Sequence, residues 1–253
     1  MSNSSQEKFS SKPFYCRLSG EYALFTDPAT KGGGEKYSYS LPTYEALKGM
    51  IDGIYWKPTI QNIVDECKIM NPIYTQTKGV LVPLNDGSQD RYYYTYLCNV
   101  CYEVKYHFEW NEDRPDLKKD RNEVKHTQII LRSLERGGRR DIFLGARECL
   151  GYAERLTRRE FEKTNTAYEN QNLDFGIQFH SFSYPGYEDI RKKPLIANFD
   201  RVKLIDGRIT FRRPEDCSIH HEITNYNLQY IQSNELEFVD EALKTREYRK
   251  EEI

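Results

Sequence analysis

Lys125 and His126 stand side by side at the start of a helical pattern carried by Ile129, Ile130 and Leu134. The loop that follows holds Gly137-Gly138 and Arg139-Arg140. Imidazole is the side chain whose unperturbed pKa lies nearest neutrality, so it can serve as base or acid. The neighbouring ammonium supplies fixed positive charge, and arginines beside glycines let guanidinium and backbone come close to an oxyanion. Arg132, Arg136 and Arg147 enlarge that charge. These types in this order suit chemistry on a phosphate. They also fit a solvated helix face closed by Gly137 as an ordinary cap, and the rest of the chain must separate the two.

Other chemistry-bearing groups are fewer. Gly32, Gly33 and Gly34 lie between Lys31 and Lys36, in a loop that either wraps an anion with backbone amides or is simply flexible. Tyr55 falls at the last turn of an apolar helix face, where its hydroxyl is shown at the helix end or is buried in a core. Cys98 and Cys101 form a lone CxxC inside a period-two pattern, so they are expected on opposite faces of a strand, and no second pair completes a four-thiolate site. His220 and His221 are adjacent and face opposite ways if extended, which disfavours a paired metal site. No compact carboxylate cluster is present. No metal and no cofactor are expected.

The elements that must position these groups can be read from periodicity. Residues 14–25 read as a strand interrupted at Ser19-Gly20. Thr43 is an N-cap for a helix whose face is Tyr44, Leu47, Met50, Ile51, Ile54 and Tyr55, and Trp56-Lys57-Pro58 ends it because the residue before a proline is driven out of helical geometry. Residues 59–70 read as a second strand, and Asn85-Asp86-Gly87 is a hairpin turn. From Tyr92 to Trp110 every even position is apolar or aromatic, so a long half-buried strand is expected. The helix of Lys125 and His126 follows, then an apolar strand at 142–144. Strand, helix, strand, strand, helix, strand is the split βαβ order. Residues 152–172 are highly charged and read as a loop or exposed helix; three short strands are expected at 175–182, 194–204 and 207–211.

Composition sets bounds. The 253 residues carry 37 Lys and Arg against 39 Asp and Glu, so any nucleic-acid surface must be local. Tyrosine is enriched, with 20 copies beside two tryptophans, and tyrosine both stacks on bases and fills strand faces. No apolar run approaches the roughly 18 residues that cross a bilayer, and the first dozen residues lack the apolar core of an export signal. A cytoplasmic protein without membrane contact, its six cysteines reduced, is expected.

Three segments then carry a resemblance: residues 20–36 (GEYALFTDPATKGGGEK), 42–58 (PTYEALKGMIDGIYWKP) and 121–151. With RRPEDC at 212–217, they resemble the CRISPR-associated RAMP proteins of type I-C systems, the Dvulg branch of the Cas five group. The resemblance covers most of residues 13–220. It implies an α+β protein with a ferredoxin-like (RRM-like, βαββαβ) domain over 13–150, after a flexible tail at 1–12. A smaller β-rich region at 151–232 and a helix or tail at 233–253 complete the expected organisation.

The resemblance further implies an endoribonuclease that cuts precursor CRISPR RNA at the 3′ base of the repeat hairpin without metal. Such a protein then stays on the 5′ handle as a subunit of the interference complex, beside its backbone and large subunits, and meets target DNA only indirectly. The tyrosine of IYWKP (Tyr55) and the lysine and histidine of RNEVKH (Lys125, His126) match the family's catalytic positions.

Chemistry agrees with that assignment. RNA supplies its own 2′-hydroxyl nucleophile, so a base, an acid and a cation suffice, giving a 2′,3′-cyclic phosphate and a 5′-hydroxyl. Lys125 fits the fixed charge and is expected to lower the Tyr55 pKa; which of Tyr55 and His126 is the base stays open. Lys31, Lys36, Lys57, Arg139 and Arg140 are the candidate RNA contacts, each also readable as a plain surface charge. A rival reading is a subunit that only holds the handle after another nuclease has cut. The trio Tyr55, Lys125 and His126 favours cleavage, because a pure binder has no need of it. A metal-dependent DNA nuclease would need clustered acidic ligands that the chain does not show.

Overall fold

A computed structural model describes residues 8–85, 87–185 and 194–223. The helix expected at the extreme C-terminus lies outside the described residues.

The elements are β1 (Phe14–Ala23), α1 (Tyr44–Ile54), β2 (Ile60–Ile69), β3 (Tyr74–Pro83), β4 (Gln89–Trp110), α2 (Glu123–Glu135), β5 (Ile142–Phe143), β6 (Leu150–Leu156), α3 (Arg158–Lys163), β7 (Asn172–Ser183), β8 (Leu195–Ile205), β9 (Arg208–Thr210) and β10 (Ile219–Ile223). One large sheet runs in the order β10-β8-β9-β2-β4-β1-β6-β5, with β3 paired to β4 and β7 to β8. Every ladder between these strands is antiparallel. The protein is therefore α+β, dominated by an antiparallel sheet much larger than a four-stranded one. No described helix is long and apolar enough to cross a membrane.

Both helices that matter form for local reasons. Thr43 accepts the Ala46 N–H and opens α1, whose buried residues Tyr44, Leu47, Met50, Ile51 and Ile54 follow the 3.6 period. Asn122 accepts the Lys125 N–H and opens α2, whose buried stripe is His126, Ile130, Ser133 and Leu134. Successive helical residues point about 100° apart. His126 therefore enters the core while Lys125 turns outward. α2 ends in a two-glycine cap: the Gly138 N–H bonds the Ser133 carbonyl and the Gly137 N–H bonds that of Leu134, with φ of 112° and 80°.

Three sequence expectations meet a different outcome. Gly20 does not break β1; a Cβ there would lie 2.5 Å from Leu144 Cδ1 and 2.8 Å from the Leu150 carbonyl, so the glycine permits close packing. Residues 142–144 supply only the two-residue edge strand β5, and the second neighbour of β1 is β6, from the stretch read as loop or helix. Its buried residues Gly151, Ala153 and Leu156 are mostly small, its exposed ones include Leu150 beside Tyr152, and Glu154 and Arg155 are exposed in succession, so no clean alternation shows in the sequence. β4 is covered on both faces at its centre: Glu103 and His107 are buried at odd positions, held by Arg17 at 2.8 Å and Asp65 at 2.9 Å.

Candidate active site

The end of α1 and the start of α2 meet at one hydrogen bond. Tyr55 follows α1 in extended geometry (φ −160°, ψ 125°) with its N–H on the Ile51 carbonyl. That turn swings its ring toward α2, and Tyr55 Oη lies 2.8 Å from His126 Nδ1. The other ring nitrogen, Nε2, is 3.0 Å from the backbone carbonyl of Asp120. A carbonyl can only accept, so Nε2 carries the proton, Nδ1 of the neutral ring accepts, and Tyr55 donates.

The surroundings keep this pair dry. Tyr55 is 2% and His126 0% exposed. Phe108 and Trp110, at the end of β4, meet the imidazole edge to face at 6.1 and 5.7 Å, and Phe9 stacks on Trp110 at 4.5 Å. The Phe9 segment is tied down by Ser11, whose N–H bonds the Phe108 carbonyl and whose hydroxyl accepts the Phe108 N–H. Burial holds the imidazole below its ordinary pKa, against the pull of Asp120, while Lys125 and Lys57 lower it further. Burial likewise raises the Tyr55 pKa, reinforced by the Asp120 carboxylate and opposed by Arg139.

Lys125 sits differently from its expected place. Its ammonium pairs with the Asp120 carboxylate at the surface, so it does not lower the Tyr55 pKa. Asp120 also accepts from the Thr59 hydroxyl at 2.7 Å, and these two partners hold its carboxyl below the usual range. Asp120 thus touches two of the three candidates, through carbonyl and carboxylate. Periodicity gave no sign of it.

The Arg139 guanidinium lies 5.6 Å from the Tyr55 ring centre. Tyr55, Trp56, Lys57, Arg139 and Arg140 line an open cleft of about 320 Å³ with Asp52 at its edge. The Arg139 and Arg140 N–H groups bond the carbonyls of Ile54 and Gly53, which fixes the arginine loop against the end of α1. Lys36 lies elsewhere, its ammonium 4.7 Å from the Tyr94 ring centre on β4. Lys31 falls in the 3-10 turn Pro28–Gly33, and its side chain is outside the described ones. Of the five candidate RNA contacts, the structure gathers Lys57, Arg139 and Arg140 beside Tyr55. Among the described residues no three His, Cys, Asp or Glu groups converge as metal ligands.

Comparison with known proteins places the chain in a class of CRISPR-associated proteins. The family model Cas_Cas5d, described as CRISPR-associated protein (Cas_Cas5), matches residues 15–212, and the chain belongs to that family, as its motifs indicate. A solved structure described as that of a CRISPR-associated protein is 44% identical, with a TM-score of 0.74 over 85% of this chain and 99% of the other. A functionally uncharacterized protein from Streptococcus mutans is 42% identical, with a TM-score of 0.73 over 85% of this chain and all of the other. The CRISPR pre-crRNA endoribonuclease Cas5d of Mannheimia succiniciproducens is 39% identical over 54 residues; the match spans 21% of this chain and 23% of that relative.

Proposed function

We propose that the protein is a metal-independent endoribonuclease that cuts precursor CRISPR RNA at the 3′ base of the repeat hairpin. The observation that carries this reading is the 2.8 Å bond between Tyr55 Oη and His126 Nδ1, beside a cleft lined by Lys57, Arg139 and Arg140. A proton leaves the substrate 2′-hydroxyl for Tyr55 Oη as the tyrosine's own proton passes to Nδ1. The 2′-oxygen bonds to phosphorus, the P–O5′ bond breaks, and the relay runs back to protonate the 5′-oxygen. Imidazolium is stabilised in between by the Asp120 carbonyl and by its carboxylate, 3.6 Å from Nε2. Lys125 and the cleft cations take the phosphate charge. Family membership supports the substrate, and the order β6-β1-β4-β2 with α1 and α2 as crossovers supports a ferredoxin-like unit that begins as expected but runs past 150, because its fourth strand is β6, Leu150–Leu156. The product stays bound, and the protein joins the backbone and large subunits of a cytoplasmic type I-C interference complex.

A second reading, a subunit that holds the handle without cutting, is favoured by one observation. His126 is fully closed to solvent, so no substrate touches it directly. Cleavage of a synthetic repeat hairpin in EDTA, with end analysis, decides between them. A cyclic phosphate from wild type, and loss of cutting with retained binding in His126→Ala, establish the nuclease; binding without cutting by wild type establishes the holder.

A further inference from the structure

We infer that Trp56 is the platform on which an unpaired RNA base beside the scissile phosphate stacks. This rests on the cleavage reading above and adds to it the residue that receives the base. Trp56 follows Tyr55 directly, where the chain leaves α1, and keeps 46% of its surface exposed. Single exposed apolar residues are ordinary; the position of this one is not. Its indole borders two hollows at once. One is the cleft with Lys57, Arg139 and Arg140; the other is a groove of about 590 Å³ that also meets Lys48, Pro58 and Asn111.

The reaction creates the need for such a face. Attack by a 2′-hydroxyl requires the 2′-oxygen, phosphorus and 5′-oxygen in line. A stacked A-form strand does not offer that line, so the nucleotide must turn out of its stack. Displaced RNA bases are received by aromatic side chains, and this is tolerant of sequence because every base has a π-face. Two aromatic residues border the cleft; Tyr55 is 2% exposed, which leaves the indole of Trp56 to meet the base. The flanking phosphates then lie over Lys57, Arg139 and Arg140 while the base is carried toward the groove.

The chain has two tryptophans, so the difference in emission between wild type and Trp56→Phe isolates Trp56. The probe is the repeat hairpin RNA with a 2′-deoxy nucleotide at the cut site. Binding should quench the difference emission, and an abasic substitution at one nucleotide flanking the cut should abolish the quench. With cleavable RNA, Trp56→Ala should slow single-turnover cutting by about 10–100-fold, and Trp56→Tyr should restore most of the rate. An RNA that binds and quenches without ever being cut leaves the platform standing and removes the nuclease reading. Bound RNA that leaves the difference emission unchanged, or Trp56→Ala cutting at the wild-type rate, overturns the inference.

Discussion

Tyr55 Oη and His126 Nδ1 lie 2.8 Å apart although 71 positions separate them in the chain, and neither side chain is appreciably open to solvent. A buried imidazole nitrogen satisfied by one phenol leaves no substitute donor if that phenol is lost. Tyr55→Phe should therefore cost about 1–3 kcal/mol of stability through the orphaned Nδ1, and should slow cleavage by about 10²–10⁴-fold with RNA affinity held within threefold. Denaturant melts and single-turnover cleavage measure the two effects. An unchanged melting midpoint would argue against the bond.

Lys125 presents the opposite balance. Its ion pair with Asp120 is exposed, so Lys125→Ala should change stability by less than about 1 kcal/mol. Cutting should nevertheless fall by about 10²-fold if the ammonium stabilises the pentacoordinate phosphate. Asp120→Asn keeps the backbone carbonyl that holds His126 Nε2 and should retain cutting better than Lys125→Ala. The reverse ranking in single-turnover assays would assign Lys125 to holding Asp120 rather than phosphate.

Acid should destabilise the fold through its buried imidazoles. Burial holds His126 below 6.5 and His180 at about 4. The unfolded chain takes up these protons near pH 6.5 and the folded chain resists, so the unfolded state binds more protons and stability falls as pH falls. The loss begins near pH 6.5 and, for His180, is complete by about pH 4, with a ceiling on the order of 3 kcal/mol. Melts between pH 7.5 and 5 test this, and His180→Phe, which keeps the stack on Tyr44, should flatten the slope. Stability that rises from pH 7 to 5 in the wild type would contradict it.

The Phe9 stack on Trp110 seals the far side of the imidazole. Phe9→Ala should cost about 0.5–1.5 kcal/mol in lost ring contact and admit water behind Trp110. The His126 pKa, followed by NMR, should then rise toward 6.5, since desolvation is the main cause of its depression. The groups facing it are Tyr55, Lys57, Asp120 and Lys125, whereas the ring contacts of Phe9 are with Phe108 and Trp110. A His126 titration identical to wild type would separate the strap from the site.

Legibility from sequence followed the strength of the local signal. Thr43, the 3.6-spaced face of α1 and the even positions of β4 are local, and the structure reproduces them. α2 was equally plain, yet its pattern could not tell that Asp120 would serve His126 with its carbonyl and Lys125 with its carboxylate, because that depends on the path of the preceding loop. Strand β6 escaped because Gly151 and Ala153 bury without looking apolar. Trp56 escaped for the opposite reason: an aromatic residue two positions before a proline reads as part of a helix stop, and its exposure is a property of the assembled surface.

The placement of β1 between β4 and β6 has a consequence for synthesis. A ribosome releases the chain from its N-terminus, so β1 and α1 emerge long before either neighbour of β1 exists. The Tyr55 hydroxyl waits for α2 before it gains His126, and the sheet beneath both stays open along one side of β1 until Leu156 has cleared the exit tunnel. Pairings this distant in sequence form slowly. A nascent chain should thus be unable to complete the Tyr55–His126 site until well past its midpoint, and stalled ribosomes carrying chains cut short before β6 should hold an incomplete and aggregation-prone sheet.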